Sequence, residues 1–347
     1  MKALAKKLLV TSGALRLAAR VRPNVAVILS YHSVRDDPSQ DEVWIGPGIT
    51  HSSRIFSRQM ELLAQRFHPA TLEDILLFLR GEKALPPRAV AVTFDDGYAD
   101  NLHFAAPILS RFGIAAAFYL TVGVIGTADA PWFSRMRRAF LTSPRRDWQS
   151  SRHGRCWDIS TAGGRNTALL AAFDLGAPLT GEDQRRLISI IEQELGVEPA
   201  LPDHRLMLTW EEAKHLLDAG HLVGSHTLTH PNIAQVGNQE ILKNEIAESK
   251  QQMEEMLKFK VRHFSYPHPA LNPQWNQITL AATRDAGYET AVTTTRAPVG
   301  TGSDPLLLSR INAPRPEHEF LWNLERAFLQ SPALALASAS VVSEGCS

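Results

Sequence analysis

The chain has 347 residues, a formal net charge of zero, 44% hydrophobic and 21% charged residues. That is enough for one large barrel-like domain or two smaller ones, and it argues against long disorder. The balanced charge gives no basis for nucleic-acid binding. The only cysteines, Cys156 and Cys346, make neither a disulfide framework nor a Cys-x-x-Cys metal site, so metal chemistry would rest on His and Asp.

The first 22 residues carry Lys2, Lys6, Lys7, Arg16, Arg20 and Arg22 among Leu, Val and Ala. The apolar run Leu8 to Leu15 contains Thr11-Ser12-Gly13 and meets Arg16, too broken for a signal peptide and too short for a membrane span. An amphipathic helix over 1–22 is expected, packed on the domain. Peripheral contact with anionic lipid and a cryptic export signal are the alternatives. The expected location is therefore cytoplasmic, with membrane association through this helix as the variant.

A barrel domain is expected over 23–335, followed by a tail at 336–347. Val25 to Ser30 reads as the first strand and Phe56 to Phe67 as a helix. Thr71 opens another helix as its cap, with Asp74 three residues on. Ala89 to Asp95 is the second strand, Asp100 to Arg111 a helix ended near Gly113, and Ala115 to Val122 the third strand. The alternation then breaks. Residues 131–205 carry arginine clusters, Gly163-Gly164 and two expected helices, Trp132 to Leu141 and Glu182 to Leu195. They read as a mainly helical insertion. Thr209 and Glu212 cap the next helix, which ends at Gly220. His221 to His226 is a strand, and Asn238 to Lys258 a long helix with Ile241, Ile246, Met253 and Leu257 as its core positions. Strands are expected at Val261 to Tyr266, Thr290 to Thr295 and Leu306 to Ile311, with a helix over Asn272 to Ala286. Alternating strands and helices imply an α/β protein with a parallel sheet. About seven such units would close an irregular (β/α)7-like barrel.

Two motifs carry chemistry. Thr93-Phe94-Asp95-Asp96-Gly97-Tyr98 follows an apolar run, and Ser225-His226-Thr227-Leu228-Thr229-His230 follows another. Asp-Asp-Gly alone is an ordinary turn, and a His pair at i, i+4 is ambiguous alone. Together they lie at the C-terminal ends of strands, the edge where active sites of α/β sheets collect. Neighbouring residues on an extended chain point to opposite sides, so one acid can bind a metal while the other takes a proton. Two His and one carboxylate leave coordination positions open for water and substrate.

These motifs resemble those of the polysaccharide deacetylases, the N-deacetylases of chitin, peptidoglycan and exopolysaccharide. Further matches are Leu29-Ser30-Tyr31-His32-Ser33-Val34, Phe264-Ser265-Tyr266-Pro267, Gly287-Tyr288, Ala291-Val292-Thr293-Thr294 and Ser309-Arg310-Ile311. The resemblance runs from Val25 to Asn312 and is similar to the exopolysaccharide-type branch, in which a tyrosine–histidine element opens the domain. It implies a metal-dependent hydrolase that removes acetyl from N-acetylhexosamine units of a polysaccharide or lipid-linked saccharide. It also implies an irregular barrel and a divalent cation, zinc by preference, held by Asp96, His226 and His230, with Asp95 as general base. The branch resemblance places the general acid on His32, which also follows the first strand; His268 is its rival.

The chain departs from the family in two places. Many members carry an Arg where Ser265 stands, so the partner that orients Asp95 is sought instead in Arg310. Members often follow the Pro of the Phe264–Pro267 segment with an aromatic residue and Gly; here His268-Pro269 follows Pro267. The His268 N–H remains available to an oxyanion, whereas Pro269 has none. Tyr98, Tyr266, Trp132 and Trp275 are candidate platforms for sugar rings. The rival readings are an inactive carbohydrate-binding protein of the same fold and a hydrolase of a non-sugar amide or O-acetyl ester.

Overall fold

The computed structural model describes residues 25–267 and 273–332. The N-terminal helix expected over 1–22, the tail over 336–347 and His268 lie outside the described residues.

The barrel strands are β1 (Val25–Tyr31), β2 (Ala89–Phe94), β3 (Ala116–Leu120), β4 (Leu222–Ser225), β5 (His263–Ser265), β6 (Thr290–Val292) and β7 (Ile311–Asn312). Every residue of β1 and β2 is buried. Such continuous apolar runs belong to parallel strands covered on both faces. β1 and β2 pair in parallel from Ala26↔Ala89 to Tyr31↔Phe94. The ladder continues through Val92↔Ala116, Ala117↔Leu222, Phe264↔Ser225 and His263↔Thr290, all parallel. β7 pairs with β1 at Leu29↔Ile311, and Leu308 just before it bridges Val292 of β6. One short stretch, 308–312, thus touches both sheet edges and curls the sheet into a barrel.

The helices are α1 (Ser53–Arg66), α2 (Leu72–Leu79), α3 (Ala106–Arg111), α4 (Trp132–Thr142), α5 (Ala162–Gly176), α6 (Gly181–Glu194), α7 (Trp210–Asp218), α8 (Gln239–Leu257), α9 (Gln277–Asp285) and α10 (Glu317–Ala327). Capping boxes start α2 at Thr71/Asp74 and α7 at Thr209/Glu212. The barrel core gathers Val27, Leu29, Phe56, Phe94, Phe118, Phe264 and Phe320.

Several expectations need correction. The helix after the second strand opens as a π-helical turn, Asn101–Ala105, before α3. The strand expected over Leu306 to Ile311 is a 3-10 turn, Pro305–Leu307, followed by the two-residue β7. Pro305 lacks the N–H a ladder needs, and Asp304 caps the turn through Leu306 N. α9 starts later than expected, with Asn276 as its cap. Ile241 is 41% exposed, and Leu242, 2% exposed, takes its place in the core. Within 131–205 the structure adds α5 and a hairpin of Asp147–Ser150 with Arg155–Asp158. These elements surround a second apolar cluster that includes Trp132, Met136, Phe140, Trp148, Trp157, Leu187 and Ile191. Among the described residues, no helix is long and apolar enough to cross a membrane.

Candidate active site

β2 delivers Asp95 and Asp96 to the C-terminal edge of the barrel, and β4 delivers His226 beside them. The backbone there is not relaxed. Asp96, Thr227 and His230 have φ of 76°, 67° and 59°, the left-handed region that side chains with a Cβ avoid. Such conformations cost about 1–3 kcal/mol each and persist only where surrounding contacts enforce them. Those contacts are present. The carbonyl of Asp96 accepts from Thr121 N at 3.1 Å. His230 N donates to Thr227 Oγ1 at 3.0 Å. Glu245 on α8 accepts from Leu228 N, Thr229 N and Thr229 Oγ1 at 3.0, 2.9 and 2.6 Å. Gly97 follows Asp96 with φ 86°, and a Cβ there would stand 3.0 Å from Leu120 Cδ2.

Asp96 Oδ1 lies 3.4 Å from His230 Nε2 and 3.7 Å from His226 Nε2. All three ligand atoms fall within 4.8 Å of one another. Donors bound at about 2.1 Å to one tetrahedral cation sit roughly 3.4 Å apart, so the spacing fits a zinc-sized ion. Electrostatics agrees. Burial, and then the Asp95 charge beside it, hold the Asp96 carboxyl well above the usual carboxylate range. A cation among these donors offsets that penalty. His226 Nδ1 lies 2.8 Å from the Ser265 carbonyl. A carbonyl only accepts, so Nδ1 carries the proton and Nε2 keeps its lone pair for the cation.

Asp95 points elsewhere. Arg310 grips it with two parallel bonds, Nη1 to Oδ1 at 2.8 Å and Nη2 to Oδ2 at 2.7 Å. Ser265 Oγ donates to Oδ1 at 3.2 Å and accepts from Arg310 Nη2 at 3.1 Å. Arg310 is itself fully buried and fixed by Thr293 O and Thr93 Oγ1, at 3.0 and 3.2 Å. Burial alone would raise the Asp95 pKa; the Arg310 guanidinium beside it outweighs that and holds the carboxyl far below its ordinary value. Asp95 is thus ionised, oriented and only weakly basic.

His32 follows β1 and is partly exposed. Its carbonyl accepts from Asn101 Nδ2 at 2.7 Å. The loop after it is tied to Asp100 by Ser33 Oγ, Val34 N and Arg35 Nε, at 2.7, 3.2 and 2.9 Å. Desolvation lowers the His32 pKa to about 4, although Asp95 pulls it upward. The imidazole is therefore neutral at rest.

The aromatic platforms also need correction. Tyr98 and Tyr266 are 0% exposed, with their rings in the barrel core. Neither presents a face to a sugar. Trp132 is buried too, with its Nε1 donating to His230 O at 3.0 Å. Trp275 is half-buried and packs on the core. Sequence reasoning missed the bridging role of Ser265, which had been noted only as a departure from the family. It also missed Glu245 and Phe133, whose ring lies 4.7 Å from that of His230. A cavity of about 440 Å³ lies in the insertion, lined by Arg152, Leu175, Leu179, Asp183, Arg186 and Leu187, and includes none of the site residues.

Comparison with known proteins places this geometry in context. Three solved structures share the fold. Streptococcus pyogenes deacetylase PplD, in complex with acetate, matches at TM-score 0.57 and 16% identity over 88% of this chain and 99% of its own. IcaB from Ammonifex degensii matches at TM-score 0.57 and 19% identity, over 88% and 99%. A de-N-acetylase from Aggregatibacter actinomycetemcomitans matches at TM-score 0.56 and 17% identity, over 87% and 100%. In sequence, YxkH of Bacillus subtilis (strain 168) is 28% identical over 106 residues; the match spans 30% of this chain and only 35% of that relative. The sequence model of the polysaccharide deacetylase family matches residues 82–291, more than half of the chain and both acidic and histidine motifs, and the protein belongs to that family.

Proposed function

We infer that the protein is a metal-dependent hydrolase that removes N-acetyl groups from N-acetylhexosamine units of a polysaccharide or lipid-linked saccharide, and that it falls in the exopolysaccharide-type branch. The observation that carries this reading is the division of labour between adjacent acids: Asp96 lies with two imidazoles, and Asp95 lies in the Arg310 fork. A binding module has no use for an oriented free carboxylate beside a metal site. Two structural neighbours, a de-N-acetylase and a deacetylase in complex with acetate, agree with it.

Asp96, His226 and His230 would hold the cation, zinc by their nitrogen and oxygen donors. A bound divalent ion supplies polarisation of the acetamide carbonyl and an acidified water. Asp95 would take a proton from the attacking water. Arg310 keeps Asp95 charged and fixes both oxygens; Ser265 holds the pair together. His32 donates to the departing nitrogen. It is neutral at rest and partly exposed, so it takes that proton from solvent as negative charge develops beside it. The His268 N–H is assigned to the oxyanion, with its side chain as the rival acid. The test is acetate release from chitooligosaccharides before and after chelation. Release that stops on chelation and returns with zinc supports the reading. Saccharide binding with no chelator-sensitive acetate release from any glycan contradicts it.

A further inference from the structure

The insertion reaches the active site through the start of α4. Trp132 Nε1 donates to the His230 carbonyl at 3.0 Å, and the Phe133 ring lies 4.7 Å from the His230 imidazole. His230 is a strained residue of the site. Its φ is 59°, its N–H is held by Thr227, and Thr227 is itself left-handed at 67°. His226 is anchored through Nδ1 to a barrel strand end. The contacts from Trp132 and Phe133 add restraints on the His230 carbonyl and ring to the one on its N–H.

Trp132 is well placed to be rigid. It is 7% exposed and stands edge-on to Phe173 at 5.9 Å. A Cβ on Gly176 would meet its ring at 2.5 Å, so α5 closes directly over it. Phe133 belongs to both apolar clusters, that of the barrel and that of the insertion. The same insertion touches the His226–His230 loop again where Asn232 N donates to Ala177 O at 2.7 Å. It also grips the loop that follows His32. Arg137 Nε donates to Glu42 O at 2.8 Å, the Arg138 guanidinium lies 5.3 Å from the Trp44 ring, and His204 Nε2 lies 2.9 Å from Asp41 Oδ2.

We propose that Trp132 and Phe133 are positioning residues for His230, so that the insertion sets the geometry and affinity of the metal site it borders. The proposal rests on the metal reading above. Outer contacts that orient a ligand are worth about 10–100-fold in metal affinity. The experiment uses the full chain and the conservative variants Trp132→Phe, which keeps the ring under α5 but removes the indole donor, and Phe133→Leu. Zinc dissociation constants are measured by competition with a chromophoric chelator. Cobalt absorption spectra report the ligand geometry, and thermal melts of the metal-free proteins report folding. The expected result is a zinc affinity about 10-fold or more weaker in each variant and an altered cobalt spectrum, with the metal-free melt close to the parent's. Unchanged affinity and spectrum in both variants overturn the proposal while leaving the functional reading intact. Loss of affinity matched by an equal collapse of the metal-free fold also overturns it, since the residues would then be merely structural. A parent that binds no zinc overturns both.

Discussion

Asp95 and Asp96 are adjacent in sequence, and the strand that carries them turns their carboxylates into different environments. Asp96 sits 3.4 and 3.7 Å from two imidazole nitrogens, whereas Asp95 is held by Arg310 and Ser265. This separation yields a sharp prediction. Asp95→Asn keeps the side-chain shape and an oxygen for Arg310 but cannot take a proton. Acetate release should fall by about 10²–10⁴-fold while zinc stays bound, measured on the same protein sample by metal analysis. Wild-type turnover in that variant would remove Asp95 from the mechanism. The motif was legible only with its partner: Asp-Asp-Gly and a His pair are each ordinary alone, but both follow apolar strand-like runs. The contribution of Ser265 was not, because a serine has no pattern of its own; only folding shows that its hydroxyl touches both Asp95 and Arg310.

At the scale of elements, the continuous apolar runs of β1 and β2 were readable because parallel strands are buried on both faces. α8 was harder. Its buried side is Leu242, Glu245, Ile246, Ser249, Lys250, Met253 and Leu257, a helical stripe with three polar members. Glu245 faces inward because it accepts three bonds from the histidine loop, so an apolar pattern search skips it and picks Ile241 instead. α5 was missed because Gly163 and Gly164 discourage a helix by about 1 kcal/mol each. Packing overrides that cost, with Thr161 capping the start and Gly176 lying against Trp132. β4 depends on another glycine. A Cβ on Gly224 would stand 2.7 Å from His263 O and 2.7 Å from Tyr119 Cδ1, contacts that neither a strand backbone nor a packed ring can relieve. Gly224→Ala should therefore lower stability by about 1–3 kcal/mol, read from urea denaturation. A variant as stable as the parent would show that β4 and β5 are less tightly apposed.

For the whole molecule, the account joins parts far apart in the chain. Residues after β1, β2 and β4, Ser265 at the end of β5 and Arg310 just before β7 converge on one edge of the barrel. The insertion over 131–205 comes back to that edge through α4. The barrel order was foreseeable from alternating elements, and its closure from the count of units. The return of the insertion was not, because no local pattern in 131–205 points to residue 230. The central claim is that Asp96, His226 and His230 share one cation. Zinc-edge X-ray absorption of the reconstituted protein tests it most directly. The account predicts two imidazole nitrogens and oxygen donors at about 2.0–2.2 Å, with one imidazole lost in His230→Ala and the carboxylate lost in Asp96→Asn. A spectrum without paired imidazoles, or one that these substitutions leave unchanged, would contradict it.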